Sequence, residues 1–130
     1  MKKVYLAGQS NEHRNNWKED FKKLLGFEYH DWEFDSDQTS PDTYFPDDLR
    51  GVKKSDILVA NPGIAPSEAT FIEIGFFYAH NVEKIGDFCD RLIIIWPEDR
   101  KKWSVDFVKK AGHVVSNEVE ALEKLRTFLC

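Results

Sequence analysis

This 130-residue sequence is short of the features that mark several large protein classes. Its two cysteines, Cys89 and Cys130, have no metal-like spacing, and a reduced, cytoplasmic protein is the simplest expectation. Its four histidines (His13, His30, His80 and His113) do not cluster, so no metal site is indicated. No apolar run approaches the ~20 residues a membrane helix needs. Met1 to Lys3 precede only the short apolar run Val4 to Gly8, too little for a secretory leader. Positive charge is in deficit: 18 Lys and Arg against 23 Asp and Glu give a net charge of −5, so there is no basic footprint for nucleic acid. The seven glycines form neither a dinucleotide fingerprint nor a P-loop. Neither repeats nor low-complexity segments occur.

What remains is a globular composition, 42% hydrophobic and 14% aromatic, expected to form one domain over residues 1–130. The chain is organised around residues 66–80. Ser67 reads as an N-cap and Glu68 as a first-turn carboxylate, opening a helix to about His80. One stripe holds Thr70, Glu73, Ile74 and Phe77, and the other holds Ala69, Ile72, Phe76 and Ala79. Two apolar faces predict a helix buried on most sides. Glu73 is the misfit. A carboxylate buried in the second turn is either paired for structure or kept for chemistry.

The rest alternates strand and helix. Lys3 to Gly8 reads as a first strand and Asn11 to Leu25 as a helix, with Trp17, Phe21, Leu24 and Leu25 inward and Gly26 as the stop. The intervening turn, with Gly8, Gln9 and Ser10, is either an ordinary connection or a cradle for a phosphate or sugar. Phe27 to Phe34 reads as a strand, Asp35 to Pro46 as a loop, and Pro46 to Lys54 as a short helix. Asp56 to Asn61 is a third strand. Arg91 to Trp96, the most continuous apolar run, is expected to be central. Pro97 to Ala111 holds a helix with Trp103, Phe107 and Val108 inward. His113 to Ser116 is the last strand, and Asn117 caps a closing amphipathic helix. Five strands alternating with five helices predict a three-layer α/β/α sandwich, Rossmann-like or flavodoxin-like, with a mainly parallel five-stranded sheet.

Open sheets of this kind bind ligands beyond the carboxyl ends of their strands. Three segments reach that edge: Tyr5 to Asn11, Asp35 to Asp48, and Asn61 to Glu73. They are expected to converge on one cleft holding Asp48, Glu73 and Tyr5. Two carboxylates and a phenol are the parts for glycosyl transfer. Taken alone, Asp48 also reads as a helix-dipole carboxylate.

Three stretches carry a resemblance to the nucleoside 2-deoxyribosyltransferases and their nucleotide N-hydrolase relatives. Val4 to Gly8 looks like the family's first strand, with its active-site tyrosine at Tyr5. Asp48 to Asp56 is similar to the family's Asp-Leu-x-Gly-Ile-x-x-x-Asp segment, whose first Asp is catalytic. Ala69 to Gly75 looks like the Gly-Thr-x-x-Glu-Leu-Gly motif, whose Glu, here Glu73, is the nucleophile. The resemblance implies a double displacement without a cofactor, on a nucleoside or nucleotide and a free base. Glu73 takes the sugar, Asp48 protonates or holds the leaving base, and Tyr5 positions the carboxylate. Gly8, Gln9, Ser10, Asn61 and Thr70 are carried along as substrate-binding candidates. Trp32, Phe34, Asp35 and Gln38 are candidates for the base pocket by position.

Two positions separate transferase from hydrolase. Ser67 stands where many transferases carry Asp and where the monophosphate hydrolases use a phosphate-binding serine. Ser104 lies where the family sends a residue into a neighbouring subunit's site, Asn in transferases and Ser in hydrolases. Both serines also suit plain helix starts. The segment beginning at Asp48 looks more like the transferases. Sugar transfer to another base is therefore the first expectation and hydrolysis of a nucleoside 5′-monophosphate the alternative. A homo-oligomer with shared active sites is implied. The competing class is a non-catalytic nucleotide-binding module, which would need the pocket but not both carboxylates.

Overall fold

The computed structural model describes residues 1–9, 17–64, 67–102 and 104–129. Ser10, the first part of the expected helix from Asn11, and Trp103 lie outside the described residues. The five strands are β1 (Lys2–Gly8), β2 (Phe27–Asp31), β3 (Ile57–Asn61), β4 (Leu92–Ile95) and β5 (His113–Val115). They form one sheet in the order β2-β1-β3-β4-β5, with every pairing parallel. The helices are α1 (Trp17–Lys22), α2 (Trp32–Asp35), α3 (Pro41–Lys54), α4 (Glu68–Asn81), α5 (Val105–Ala111) and α6 (Glu118–Arg126). No helix among the described residues is long and apolar enough to cross a membrane.

Alternation along the strands splits the core in two. Val4, Leu6, Ile57, Val59, Ile93 and Ile95 pack on one side with Trp17 and Phe21 of α1 and Ala121 and Leu125 of α6. Tyr5, Ala7, Leu58, Ala60, Leu92 and Ile94 pack on the other with Val52 of α3 and Ile74 and Phe77 of α4. This is the expected α/β/α arrangement.

Several local expectations are corrected. β2 ends at Asp31, not Phe34, because the Asp31 side chain accepts from the Glu33 amide and caps the single turn α2. Residues 41–45 are not loop. Pro41 sits at the start of α3, where its missing N–H costs nothing, and the Ser40 amide donates to Thr43 Oγ1. Pro46 lies inside that helix, which loses one backbone bond there and continues for two more turns. β3 is the central strand and β4 stands one position further out, because β1 and β2 both add on the other side of β3. Leu25 is 82% exposed, since α1 stops at Lys22 before Leu25 can turn inward. Phe107 is 84% exposed, because α5 begins only at Val105 and turns Val105, Val108 and Ala111 toward the sheet.

α4 is buried on one side only. Thr70, Glu73, Ile74 and Phe77 face the sheet, while Ala69, Ile72 and Ala79 are exposed. The sheet covers a single helix face, and among the described residues no second layer lies beyond it.

Candidate active site

β1 delivers Tyr5 and then Gly8. Gly8 adopts φ +137°, and a Cβ there would lie 2.2 Å from the Asn61 carbonyl oxygen. Only glycine allows β1 and β3 to close together at this edge. Tyr5 is fully buried on the α3 and α4 side of the sheet, and its hydroxyl donates to Glu73 Oε2. Glu73 comes from the second turn of α4 and Asp48 from the second half of α3. Two adjoining cavities join these groups. The smaller, about 70 Å³, lies between Tyr44, Asp48, Ala69 and Glu73. The larger, about 330 Å³, is walled by Gly8, Trp32, Gln38, Asp48, Thr70 and Glu73. That size suits a small organic ligand.

Glu73 is 7% exposed. Burial pushes its carboxyl up to about 8; the Tyr5 hydrogen bond opposes this, Asp48 adds to it and Lys18 opposes it. Burial, above all, also raises the Tyr5 phenol, so it stays a donor. Burial raises the Asp48 carboxyl, with the Ser36 hydroxyl opposing. Asp48 Oδ1 is buried without a partner among the described residues. The site thus pairs a carboxyl held by a phenol with a second carboxyl that burial also shifts toward its protonated form. That combination can attack a carbon on one side and serve a leaving group on the other.

Other candidates fall in different places. Gly8 and Thr70 line the cavity with the carboxylates. The Gln9 side chain packs against Gly63, within 3 Å of where a Cβ would stand. Asn61 is fully buried, and its Nδ2 donates to Glu118 Oε1 at 3.3 Å. Ser67 does not cap α4 with its side chain; its hydroxyl donates to the Pro62 carbonyl at 2.6 Å. Asp35 is not in the Glu73 cavity. Its Oδ2 accepts from the Asp31 amide, and it lines a separate polar cavity with Lys3, His30, Asp47 and Arg50. Ser104 is also away from Glu73 within this chain. It lines an apolar groove of about 680 Å³ between α4 and α5. Of the other base-pocket candidates, Trp32 and Gln38 line the cavity, whereas Phe34 is 70% exposed.

Sequence reasoning missed His30 and Lys18. The His30 ring stacks on Tyr5 with centroids 4.9 Å apart and a 15° interplanar angle. Burial lowers its pKa, so it is neutral near pH 7. A signal for it exists in the strand pairing: parallel β1 and β2 put Tyr5 opposite His30. Lys18 carries no such signal, because lysine inside a helix reads as solvated. Among the described residues, no three His, Cys, Asp or Glu side chains are grouped to hold a metal ion.

No protein-family model and no curated protein sequence matches the chain significantly. Solved structures do. A CMP N-glycosidase from Clostridium botulinum, BcmB, is 25% identical, with a TM-score of 0.69 over 98% of this chain and 100% of that one. BlsM is 21% identical, with a TM-score of 0.62 over 98% of this chain and 89% of that one, a likeness of fold alone.

Proposed function

We propose that the protein is an enzyme of N-glycosidic bonds that releases the base from a nucleoside 5′-monophosphate. The observation that carries this reading is the buried Glu73 carboxylate, held by the Tyr5 hydroxyl and facing the same cavity as Asp48. The end-to-end likeness to a CMP N-glycosidase supports it.

Chemistry follows from the roles. Glu73, ionised, attacks C1′ from one face of the sugar. The C1′–N bond breaks, and the base leaves with the bonding pair and takes the Asp48 proton. A glycosyl ester to Glu73 results. Water then attacks C1′, gives its proton to Asp48 and frees the Glu73 carboxylate, returning the site to its starting state. Tyr5 orients Glu73 and offsets part of its desolvation. The α4 N-terminus, with Ser67 beside it, supplies amides suited to a phosphate.

A second reading replaces water by a free base, making the enzyme a deoxyribosyltransferase. The similarity of residues 48–56 to the transferase segment favours it. One chromatographic assay separates the two. Incubating CMP and deoxynucleoside 5′-monophosphates in buffer gives free base if the enzyme is a hydrolase. A deoxynucleoside with a second base gives a new nucleoside if it is a transferase. Silence in both, with the fold intact, favours a binding module.

The working form is at least a dimer in this proposal. The groove holding Ser104 is walled by Phe71, Ile74, Tyr78, Ile85 and the exposed Phe107, an apolar surface a second copy would cover. Ser104 would then reach the neighbour's substrate.

A further inference from the structure

Lys18, whose charge acts on Glu73 from a distance, is fully buried, and the chemistry above gives its direct contacts no role. It donates to Asp31 Oδ1 at 2.8 Å and to Glu33 Oε1. Asp31 also receives Lys22 at 2.8 Å on its other oxygen. A buried ammonium needs such partners, since desolvation alone would expel or neutralise it. The same ammonium lies 4.6 Å from the centre of the Trp32 ring, in the range of a cation–π contact. The edge of that ring is fixed too, because the indole N–H donates to the Gly8 carbonyl at 3.2 Å. Trp32 is therefore held by a cation at its ring and by β1 at its edge. It walls the cavity that contains Asp48 and Glu73.

We propose that Lys18 is a positioning residue: with Asp31 and Glu33, it fixes the Trp32 ring as the wall against which the planar base of the substrate packs. The inference rests on reading the cavity as a nucleotide site. A flat aromatic ring gains most from a partner ring already held at the stacking angle. A ring free to turn would bind the base more weakly and leave the chemistry at C1′ unchanged. The effect is on binding rather than on bond breaking.

The experiment uses the full ¹⁵N-labelled chain, with the Trp32 indole signal assigned by its loss in Trp32→Phe. In Lys18→Met that signal is expected to move, and its N–H to exchange at least about tenfold faster. Lys18→Arg, which keeps the cation, restores most of both. With CMP as substrate, Lys18→Met raises KM about tenfold, a larger change than the fall in kcat that losing its charge near Glu73 brings. A merely destabilised protein would lose active fraction and so kcat, with KM unmoved. An unmoved, equally protected Trp32 indole overturns the proposal, as does a loss in kcat alone. Should the wild type not act on CMP, the indole readings still decide the Lys18 question, while the nucleotide reading fails separately. Should Lys18→Met not fold, Glu33→Ala removes one partner of the ammonium and is expected to shift the indole signal in the same direction. No shift in that variant overturns the proposal.

Discussion

The Tyr5 hydroxyl donates to Glu73 Oε2 across 68 positions of sequence, tying the first strand to the second turn of α4. Burial pushes Glu73 toward its neutral form, and Tyr5 pulls it back toward the carboxylate the chemistry needs. Each is placed by a different element, so the site forms only once the sheet and α4 have docked.

Replacing the nucleophile tests the enzyme reading directly. Glu73→Ala is expected to lower base release by about 10⁴-fold or more, leaving CMP binding in calorimetry within a few-fold. Base release that persists in this variant would remove Glu73 from the chemistry.

Stability carries the same burial. The folded Glu73 titrates near 8 against an ordinary 4.5, so between these values the native state holds more protons than the unfolded chain. Its stabilising contribution is full below about pH 4.5 and is lost as pH rises through about 8. The loss is on the order of 5 kcal/mol, since each pH unit separating the folded from the unfolded value is worth ~1.4 kcal/mol. Urea unfolding at pH 5 and pH 9 is expected to show this fall in the wild type and to lack most of it in Glu73→Gln.

Tyr5→Phe removes the donor that favours the ionised Glu73. The rising limb of kcat/KM against pH, set near 8 by Glu73 in the wild type, is expected to move up by about one pH unit. At pH 7 the rate is expected to fall about 10- to 100-fold. A limb unmoved in Tyr5→Phe would show that Tyr5 does not tune Glu73.

Gly8→Ala would place a methyl group 2.2 Å from the Asn61 oxygen, at a φ that alanine rarely adopts. The expected cost exceeds about 3 kcal/mol in chemical unfolding, among the larger single-site effects. A loss below about 1 kcal/mol would show that β1 and β3 can part at this edge without penalty.

Assembly is read by sedimentation at micromolar concentration. The wild type is expected to run as a dimer or larger, and Phe107→Glu to shift it toward monomer. A wild type that is purely monomeric would leave the apolar groove and the role of Ser104 without support.

The strand–helix alternation and the two-sided core are legible in sequence because strand alternation and helix periodicity are local. Glu73 stands out for the same reason, as a carboxylate on an apolar stripe. The extent of α3 is not legible, because Pro46 reads as a helix start and so hides the true start at Pro41. Periodicity points Phe107 and Leu25 inward because it counts helix phase from starts and stops that the folded chain does not use. The outer face of α4 looks like core in sequence because composition cannot tell a face covered by the sheet from one that a partner would cover. Lys18 is illegible because it depends on Asp31 and Trp32, brought in by other elements, while His30 becomes legible only once β1 and β2 are paired and set it beside Tyr5.

The sequence by itself determined the layers of this protein and its one conspicuous buried acid. Both follow from the spacing of apolar residues within single elements. Tertiary structure alone decided which groups meet that acid. It brought Tyr5 onto Glu73, set Asp48 on the same cavity, and left Asp35 and Ser104 elsewhere. The physical reason is that desolvation and hydrogen bonding depend on distances between elements, which are fixed only when the sheet and helices pack.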